Sequence, residues 1–340
     1  MSRHIITTRG VGRYAIVVAL ASLLLTGCGS GVAAASAVGQ PSLSLTAPLT
    51  AVGCTTMGTC IALGASGRAN GPGDAAQIRN HKGVWSVLKI PPAPSASFAA
   101  ASCASSTCLF GGTKDSTDLL WSVNATTGAV IPTRGPSAGL VIRDLSCASN
   151  ADCTAIDQAA HGLTRISHTI NGGGHWSAPL TLAWALNTTT VLDCVSLTQC
   201  YVATTSAHHV VTVRETFNAG VTWRILATPS TWTSLTSLDC DTTCTALVST
   251  AAGSSVVTQS KATWSATALA FTGLSMSCIT SGTCLVVGHQ ANLSAAMATW
   301  ASGALSTVAL TYVPSELTSV DCVPTICVAL GVTTTVAIRP

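Results

Sequence analysis

Fourteen of the fifteen cysteines in this 340-residue chain fall into seven close pairs: Cys54/Cys60, Cys103/Cys108, Cys147/Cys153, Cys194/Cys200, Cys240/Cys244, Cys278/Cys284 and Cys322/Cys327. The first members stand 49, 44, 47, 46, 38 and 44 residues apart. A near-constant period in the forties marks a repeat architecture and governs every other reading of the chain. Zinc would need about four ligands converging on one point, and seven separated pairs with no histidine at finger spacing do not converge. A CxxC redox motif is absent, because three to five residues separate the partners. The remaining role is a disulfide across a hairpin, where facing Cβ atoms lie close enough to bridge.

The flanks repeat with the cysteines. Short strand-like runs such as "LTAVGC", "TVLDC" and "TSVDC" precede each first cysteine, and runs such as "CIALG", "CYVAT" and "CVALG" follow each second one. Gly, Ser, Thr and Asn bound them, as expected of hairpin strands. In each unit the first strand is expected to end near the first cysteine and the second to start at the second cysteine. Six repeats then carry a tryptophan (Trp85, Trp121, Trp176, Trp223, Trp264, Trp300), at which an outer strand is expected to begin. Four strands in about 44 residues make one propeller blade. The expected fold is therefore all-β, a seven-bladed β-propeller of four-stranded blades. The seventh unit stops thirteen residues after Cys327, while "PSLSL" at Pro41–Leu45 precedes the first unit without a blade of its own. The expectation is that this N-terminal segment supplies the missing outer strand of the last blade and closes the ring.

Composition limits where such a chain works. Only 8% of its residues are charged and 4% aromatic, against 48% hydrophobic, so the core must be built from Val, Leu, Ile and Ala. No apolar run beyond the N-terminus approaches the ~20 residues of a spanning helix. At the N-terminus, Arg3, Arg9 and Arg13 precede an apolar run from Tyr14 to Leu25, and "LTGC" follows from Leu25 to Cys28. A basic region, a short apolar region and small residues make an export signal. "LTGC" resembles the lipobox of bacterial lipoproteins. That resemblance implies cleavage before Cys28 and a diacylglyceryl group on its sulfur. The expected domains are a signal peptide at 1–27, a lipidated cysteine with a flexible tether at 28–40, and the propeller at 41–340. Export to the outer face of the cell membrane would let disulfides persist. Losing three arginines leaves twelve basic and twelve acidic side chains. Zero net charge argues against a nucleic-acid partner, and the membrane would be held through the lipid on Cys28 rather than by a basic patch.

"TINGGGHW", from Thr169 to Trp176, and "TFNAGVTW", from Thr216 to Trp223, both fit [ST]-x-[DN]-x-G-x-x-W. They resemble the Asp-box of BNR-repeat propellers, the group that includes sialidases, sortilin and the photosystem-assembly propellers. In such a turn Asn171 or Asn218 would bond the local backbone, Gly173 or Gly220 would take a positive φ, and Trp176 or Trp223 would pack between sheets. The other tryptophan segments lack most of the box.

In a propeller the disulfide and Asp-box turns share one face, which leaves any site to the opposite face around the channel. Polar residues collect in the turns expected there: Arg68, Asp74, Lys114, Asp115, Asp118, Asp157, His161, His208, His209, His289 and Gln290. Of these, Arg68, Lys114, Asp115, Asp157, His161, His208, His209 and His289 form the candidate ligand rim. The neighbouring loops add Arg134, Arg143, Tyr312 and Glu316. A sialidase-like mechanism would need arginines on a carboxylate, a tyrosine nucleophile and a glutamate base, and the catalytic set cannot be assigned residue by residue. The chain is thus expected to be a monomeric binding or scaffolding module, without cofactor or metal, for an unknown protein or glycan ligand. The alternatives are an exported glycan-active hydrolase on the same fold and a purely structural envelope component.

Overall fold

The computed structural model describes residues 37–39, 48–64, 76–79, 85–91, 95–115, 117–136, 141–158, 164–182, 184, 189–261, 263–280, 282–310, 315–331 and 335–338. These residues form 28 strands, arranged in seven four-stranded antiparallel sheets.

Strand β1 (Ala37–Gly39) comes first in the chain but belongs to the last sheet. The first sheet is β2 (Leu49–Cys54), β3 (Cys60–Gly64), β4 (Ala76–Arg79) and β5 (Trp85–Val87). The second is β6 (Ala96–Cys103), β7 (Thr107–Lys114), β8 (Thr117–Asn124) and β9 (Val130–Thr133). The third is β10 (Val141–Cys147), β11 (Cys153–Gln158), β12 (Thr164–Thr169) and β13 (Leu180–Thr181). The fourth is β14 (Thr189–Cys194), β15 (Cys200–Thr205), β16 (Val211–Thr216) and β17 (Arg224–Leu226). The fifth is β18 (Trp232–Cys240), β19 (Cys244–Thr250), β20 (Gly253–Ser260) and β21 (Thr263–Ala268). The sixth is β22 (Thr272–Thr280), β23 (Thr283–His289), β24 (Ala295–Ala301) and β25 (Ala304–Thr307). The seventh orders β26 (Leu317–Val323), β27 (Ile326–Gly331) and β28 (Thr335–Ile338), with β1 outermost.

The innermost strands pack in sequence, β2 on β6, β6 on β10, and so on through β22 on β26, and β26 returns to β2. This is a propeller-like arrangement. The expectation of seven like blades closed by Pro41–Leu45 nevertheless needs two corrections. Five sheets, from β6 to β25, are blades described through all four strands, whereas β1, β4 and β28, in the two sheets that meet at the seam, are described in backbone only. The strand pairing with β28 is Ala37–Gly39, with Ala37 opposite Ile338 and Gly39 opposite Val336. Pro41–Leu45 lies outside the described residues.

Apolar side chains fill the gaps between successive sheets. Between the first and second sheets lie Ile61, Leu63, Phe98, Phe110 and Trp121, and Phe98 meets Trp121 at 4.8 Å between ring centroids. Between the fourth and fifth lie Tyr201, Val213, Trp232 and Leu235. Leu49, Cys60, Val328 and Leu330 join the seventh sheet to the first. Burying one such aliphatic side chain contributes about 1.5–3 kcal/mol, so each gap carries its own stabilisation. Tryptophan does not mark one strand position, as expected from spacing: Trp121 and Trp300 lie within the third strands β8 and β24, while Trp176 and Trp223 precede the fourth strands β13 and β17. Packing needs a bulky group between sheets, and residues on either side of a turn can reach there.

The second cysteines also correct the expected strand starts. Cys60, Cys153, Cys200 and Cys244 open their strands, but Cys108, Cys284 and Cys327 come second, after Thr107, Thr283 and Ile326. In the seventh sheet the ladder runs one pair past the disulfide, to Val323 opposite Ile326, and in the sixth Thr283 pairs with Thr280 across an irregular register. In the second sheet the extra residue is held by the third strand, where Thr107 pairs with Asn124. Wherever it stands in its strand, the second cysteine of every pair is buried, at 0–2% exposure. Cys108 packs with Ile61 and Phe98 in the gap between the first and second sheets, and Cys284 with Leu247 and Val286 in the gap between the fifth and sixth. Spacing alone puts these sulfurs at turns; their place on the second strand sets them under a neighbouring sheet, where Cys60 and Cys200, like Cys108 and Cys284, act as core groups as well as cross-links.

The glycines that end "CIALG", "CLFGG" and "CLVVG" have a steric cause. A Cβ on Gly64, Gly112 or Gly288 would stand 2.0, 1.9 or 1.9 Å from the carbonyl oxygen of Pro48, Ser97 or Thr272. Each strand here passes directly over the start of its inner neighbour.

Candidate functional site

All seven cysteine pairs are disulfide-bonded, Cys103–Cys108 and Cys278–Cys284 included. In every sheet the two partners face each other across the innermost pair of strands, as Cys194 faces Cys200 and Leu192 faces Val202. The pairs define one face of the ring. Disulfide bonding, with the second cysteine of every pair buried, makes all seven pairs structural. The turns after β12 and β16 lie on the disulfide face, since Thr169 pairs with Cys153 and Thr216 with Cys200. In the first of these turns the Thr169 hydroxyl accepts from Gly173 N at 3.1 Å, and Asn171 Oδ1 accepts from His175 N at 2.8 Å. In the second, Thr216 and Asn218 do the same for Gly220 N (3.0 Å) and Thr222 N (2.9 Å). Gly173 and Gly220 take φ of +89° and +80°. Trp176 is buried and Trp223 half-buried. His168 joins the third sheet to the second of these turns. Its Nε2 donates to Ala219 O (2.9 Å) and its Nδ1 accepts from the Thr154 hydroxyl (2.8 Å), a neutral imidazole that burial favours by lowering its pKa.

The channel is lined by the innermost strands and encloses about 360 Å³. The residue just before the first cysteine of a sheet faces the next sheet and accepts the backbone N–H of that sheet's first cysteine. Ser102 accepts from Cys147 N, Ser146 from Cys194 N, Asp193 from Cys240 N, Asp239 from Cys278 N, Ser277 from Cys322 N and Asp321 from Cys54 N, at 2.6–3.1 Å. Six of the seven junctions are linked in this way. At the junction of the first and second sheets the position is Gly53, where a Cβ would come within 2.4 Å of the Cys103 sulfur. A second tier lies two residues earlier: Asp144 accepts from Leu192 N (2.7 Å), Ser237 from Met276 N (2.9 Å) and Ser275 from Val320 N (3.2 Å).

Four carboxylates thus stand in the channel wall. Desolvation pushes Asp144 up to about 7 against the N–H bonds from Leu192 and Leu145. Asp193 rises to about 7, first by desolvation and then by the neighbouring charges of Asp239 and Asp144. Asp321 rises to about 6 and Asp239 also rises, again chiefly by desolvation. Each carboxylate receives an N–H from the next sheet, which makes these groups architectural. The repetition of Asp before Cys194, Cys240 and Cys322 carries that signal in the sequence; Asp144 lies outside the pattern.

The mouth of the channel opposite the disulfides holds an adjoining cavity of about 340 Å³, which shares Ala99, Arg143, Thr189 and Thr190 with the channel. It is lined by Ser97, Ala99, Gly112, Thr113, Val141, Ile142, Arg143, Gln158, Thr189 and Thr190. Arg143 owes its place to a β-bulge. The ladder of β10 and β11 pairs Ile142 with Asp157 and then Asp144 with Ile156, which leaves Arg143 unpaired. Equivalent bulges skip Thr50, Ala99, Thr236, Leu274 and Thr318 in other sheets. A bulge re-aims the side chain it carries, and Arg143 is the one charged residue among these six. Its Nε donates to Gln158 Oε1 at 3.0 Å. Among the described residues the one ion pair is Arg224 with Glu215, so Arg143 has no carboxylate partner there.

The rim expected from turn composition is not gathered. Lys114, Asp115, Asp157, His208, His209 and His289 line neither cavity. Asp115, His208 and His209 are exposed turn residues, with φ of +50° at Asp115 and +59° at His209. Asp157 is buried within β11, opposite Arg165. His289 bonds the Gln290 carbonyl beside it. Among the described residues no three of His, Cys, Asp and Glu are grouped to hold a metal ion. Arg68, Asp74, His161, Tyr312 and Cys28 lie outside the described residues. Of the arginines and glutamate considered for a sialidase-like set, Arg143 lines the mouth, and Arg134 and Glu316 do not. Ser97, Thr113, Gln158, Thr189 and Thr190 were not among the expected site residues; they belong to strand ends, where polar residues are ordinary.

No protein-family model and no curated protein matches the chain. The family assignment drawn from the two Asp-box-like turns is therefore corrected to a likeness of local turn geometry. Solved structures do share the fold. The chain is similar to a structure described as YCF48 bound to D1 peptide, with a TM-score of 0.62 and 14% identity over 92% of this chain and 99% of that one. It is similar to virginiamycin B lyase from Staphylococcus aureus (TM-score 0.59, 9% identity, 88% of this chain and 98% of that one). It is also similar to a GH74 enzyme from Niastella koreensis (TM-score 0.61, 10% identity, 87% of this chain and 53% of that one). Binding proteins and enzymes both use this fold, so these likenesses establish the architecture alone.

Proposed function

We propose that this protein is a lipid-anchored, extracytoplasmic binding module that holds a carboxylate-bearing segment of a protein partner at the channel mouth. The observation that carries this reading is Arg143. A bulge sets it out of the ladder beside Gln158 and a ring of Ser and Thr hydroxyls, with its guanidinium free of any ion pair among the described residues. A planar five-donor group with neutral neighbours is suited to a carboxylate. YCF48, with the same type of fold, is known with a peptide bound, which favours a polypeptide over a glycan. The lipid anchor rests on the "LTGC" motif and the export signal before it. Hydrolysis is disfavoured because the carboxylates nearest the mouth stand in the channel wall and each accepts a backbone N–H of the next sheet, whereas a glycosidase needs a free acid–base pair.

The test is a screen of acidic peptides and of acidic glycans against the purified protein by fluorescence anisotropy. Arg143→Ala is expected to weaken binding of the selected peptide at least about tenfold while leaving the melting temperature unchanged, because Arg143 is exposed and outside the ladder. Undiminished binding to the variant, or selection of neutral ligands alone, would remove the basis of this reading.

A further inference from the structure

The disulfide face differs from the opposite face in ways that the binding site does not explain. Its turns expose four large apolar side chains, Met57 (65% exposed), Ile170 (68%), Phe217 (58%) and Val221 (68%), against two, Val210 (59%) and Leu293 (60%), in the described turns of the opposite face. Met57 lies in the first disulfide loop, and the others occupy the turns after β12 and β16, so they spread over the first, third and fourth sheets. Ile170 and Phe217 hold the same place in the two Asp-box-like turns, and neither is needed for the hydrogen bonds that shape them. Charge is sparse there: the described turns of this face carry Asp152, Asp241 and Lys261, Asp152 is held by the Ser149 hydroxyl, and Arg224, just past the Val221 turn, is paired with Glu215. The opposite face carries Lys114, Asp115, Asp118, Arg134, Arg143 and Glu316.

The chain also enters the propeller at the disulfide face. Ala37 pairs with Ile338, and Ile338 pairs with Cys327 of the last disulfide. Eight residues lie between Cys28 and Ala37, a contour of at most about 32 Å. A lipid on Cys28 would therefore be tied by a short tether to the rim of the face that exposes the apolar tips.

We infer that the disulfide face rests on the lipid bilayer that holds the anchor, with Met57, Ile170, Phe217 and Val221 set into its interfacial layer and the Arg143 mouth turned away from the membrane. The inference rests on the lipid-anchor reading. The face orients the protein and does not anchor it: with zero net charge after removal of residues 1–27 and scattered apolar tips, the lipid supplies the affinity and the tether the local concentration.

Met57 provides the probe. The mature chain has three methionines, and the other two, Met276 and Met297, are buried. Oxidation by chloramine-T, an anionic oxidant that stays in water, follows thioether exposure. Lipoprotein extracted from membranes is reconstituted into phosphatidylcholine–phosphatidylglycerol vesicles and compared with the unlipidated Cys28→Ser chain in solution. Mass spectrometry follows Met57 sulfoxide, and acylation follows Lys114 on the opposite face. On vesicles Met57 is expected to oxidise at least about fivefold more slowly, with Lys114 acylation unchanged. The double variant Phe217→Asp, Val221→Asp, lipidated and still vesicle-bound, is expected to return Met57 to its solution rate. A lipidated protein whose Met57 oxidises at the solution rate, protection of Lys114 instead, or protection that survives the double variant would overturn the docking and leave the anchor standing. An intact mass without the diacylglyceryl group would overturn the anchor and the docking together.

Discussion

Cys54, Cys240 and Cys278 each give their amide hydrogen to an aspartate of the preceding sheet. Cys147, Cys194 and Cys322 give theirs to a serine. The two residue types do the same geometric work with different electrostatics. A serine accepts at any pH, while an aspartate in this wall resists ionisation. Asp144 and Asp193 stand at about 7 and Asp321 at about 6, above the usual carboxylate range, mainly because the wall desolvates them. Their folded pKa values exceed the unfolded value of about 3.9, so the native state holds more protons than the unfolded state between about pH 4 and 7, and stability falls as pH rises through that window. The melting temperature should therefore be higher at about pH 5 than at about pH 8, as calorimetry can check. Asp193→Asn keeps an acceptor for Cys240 N and removes the charge; it should raise stability at the higher pH by about 1–2 kcal/mol and change little at the lower. Ser146→Ala leaves the buried Cys194 N–H without its partner and should cost about 1–3 kcal/mol at both. A charge-independent loss in both variants would show that burial of the carboxylates has no energetic consequence.

At the scale of strands and turns, some features were legible in the sequence and others were not, for identifiable reasons. The cysteine pairs were legible because a disulfide hairpin fixes the partners and the register together. The strand starts were less so: Cys108, Cys284 and Cys327 sit one residue inside their strands, because neighbouring strands, which spacing does not describe, set where each ladder begins. The aspartates before Cys194, Cys240 and Cys322 were legible as structural because they recur with the unit. Arg143 was not legible as a bulged residue: a bulge is a two-against-one mismatch between strands, and nothing in "VIRDLSC" taken alone distinguishes it from regular alternation. The described members of the expected rim are not gathered, for the opposite reason. Polar composition identifies turns correctly, but His208, His209 and Asp115 are polar because turns are solvated, and they point to no common centre. The closing strand was placed on Pro41–Leu45 by counting units, and pairing with β28 falls on Ala37–Gly39 instead. The close strand approach makes its own prediction. Gly112→Ala would put a Cβ 1.9 Å from the Ser97 carbonyl oxygen, against backbone that cannot swing aside, and should destabilise the fold by more than about 2 kcal/mol; chemical denaturation measures it.

For the molecule as a whole, stability rests on many local closures. Few charges and few aromatics leave modest packing between sheets, and each disulfide spans only four to six residues of sequence. A loop that short contributes about 2 kcal/mol in the chain-entropy picture. Seven of them together are comparable with the whole 5–15 kcal/mol of a typical domain, roughly speaking. Full reduction should therefore unfold the protein or lower its melting temperature steeply, whereas removing one pair, as in Cys240→Ser with Cys244→Ser, should cost about 2 kcal/mol and leave it folded. Retention of the full melting temperature under reduction would place the stability in the inter-sheet packing instead.

The three-residue ladder between β1 and β28 has a mechanical consequence. Any tension that reaches the ring through its N-terminal segment falls first on Ala37–Gly39, upstream of every disulfide in the covalent path. The first disulfide begins at Cys54, so no covalent clamp limits how far the preceding segment can be drawn out once that ladder shears. Such a load would thus meet the three pairs of the seam first, and the stapled hairpins, from Cys54 onward, only after those pairs had parted.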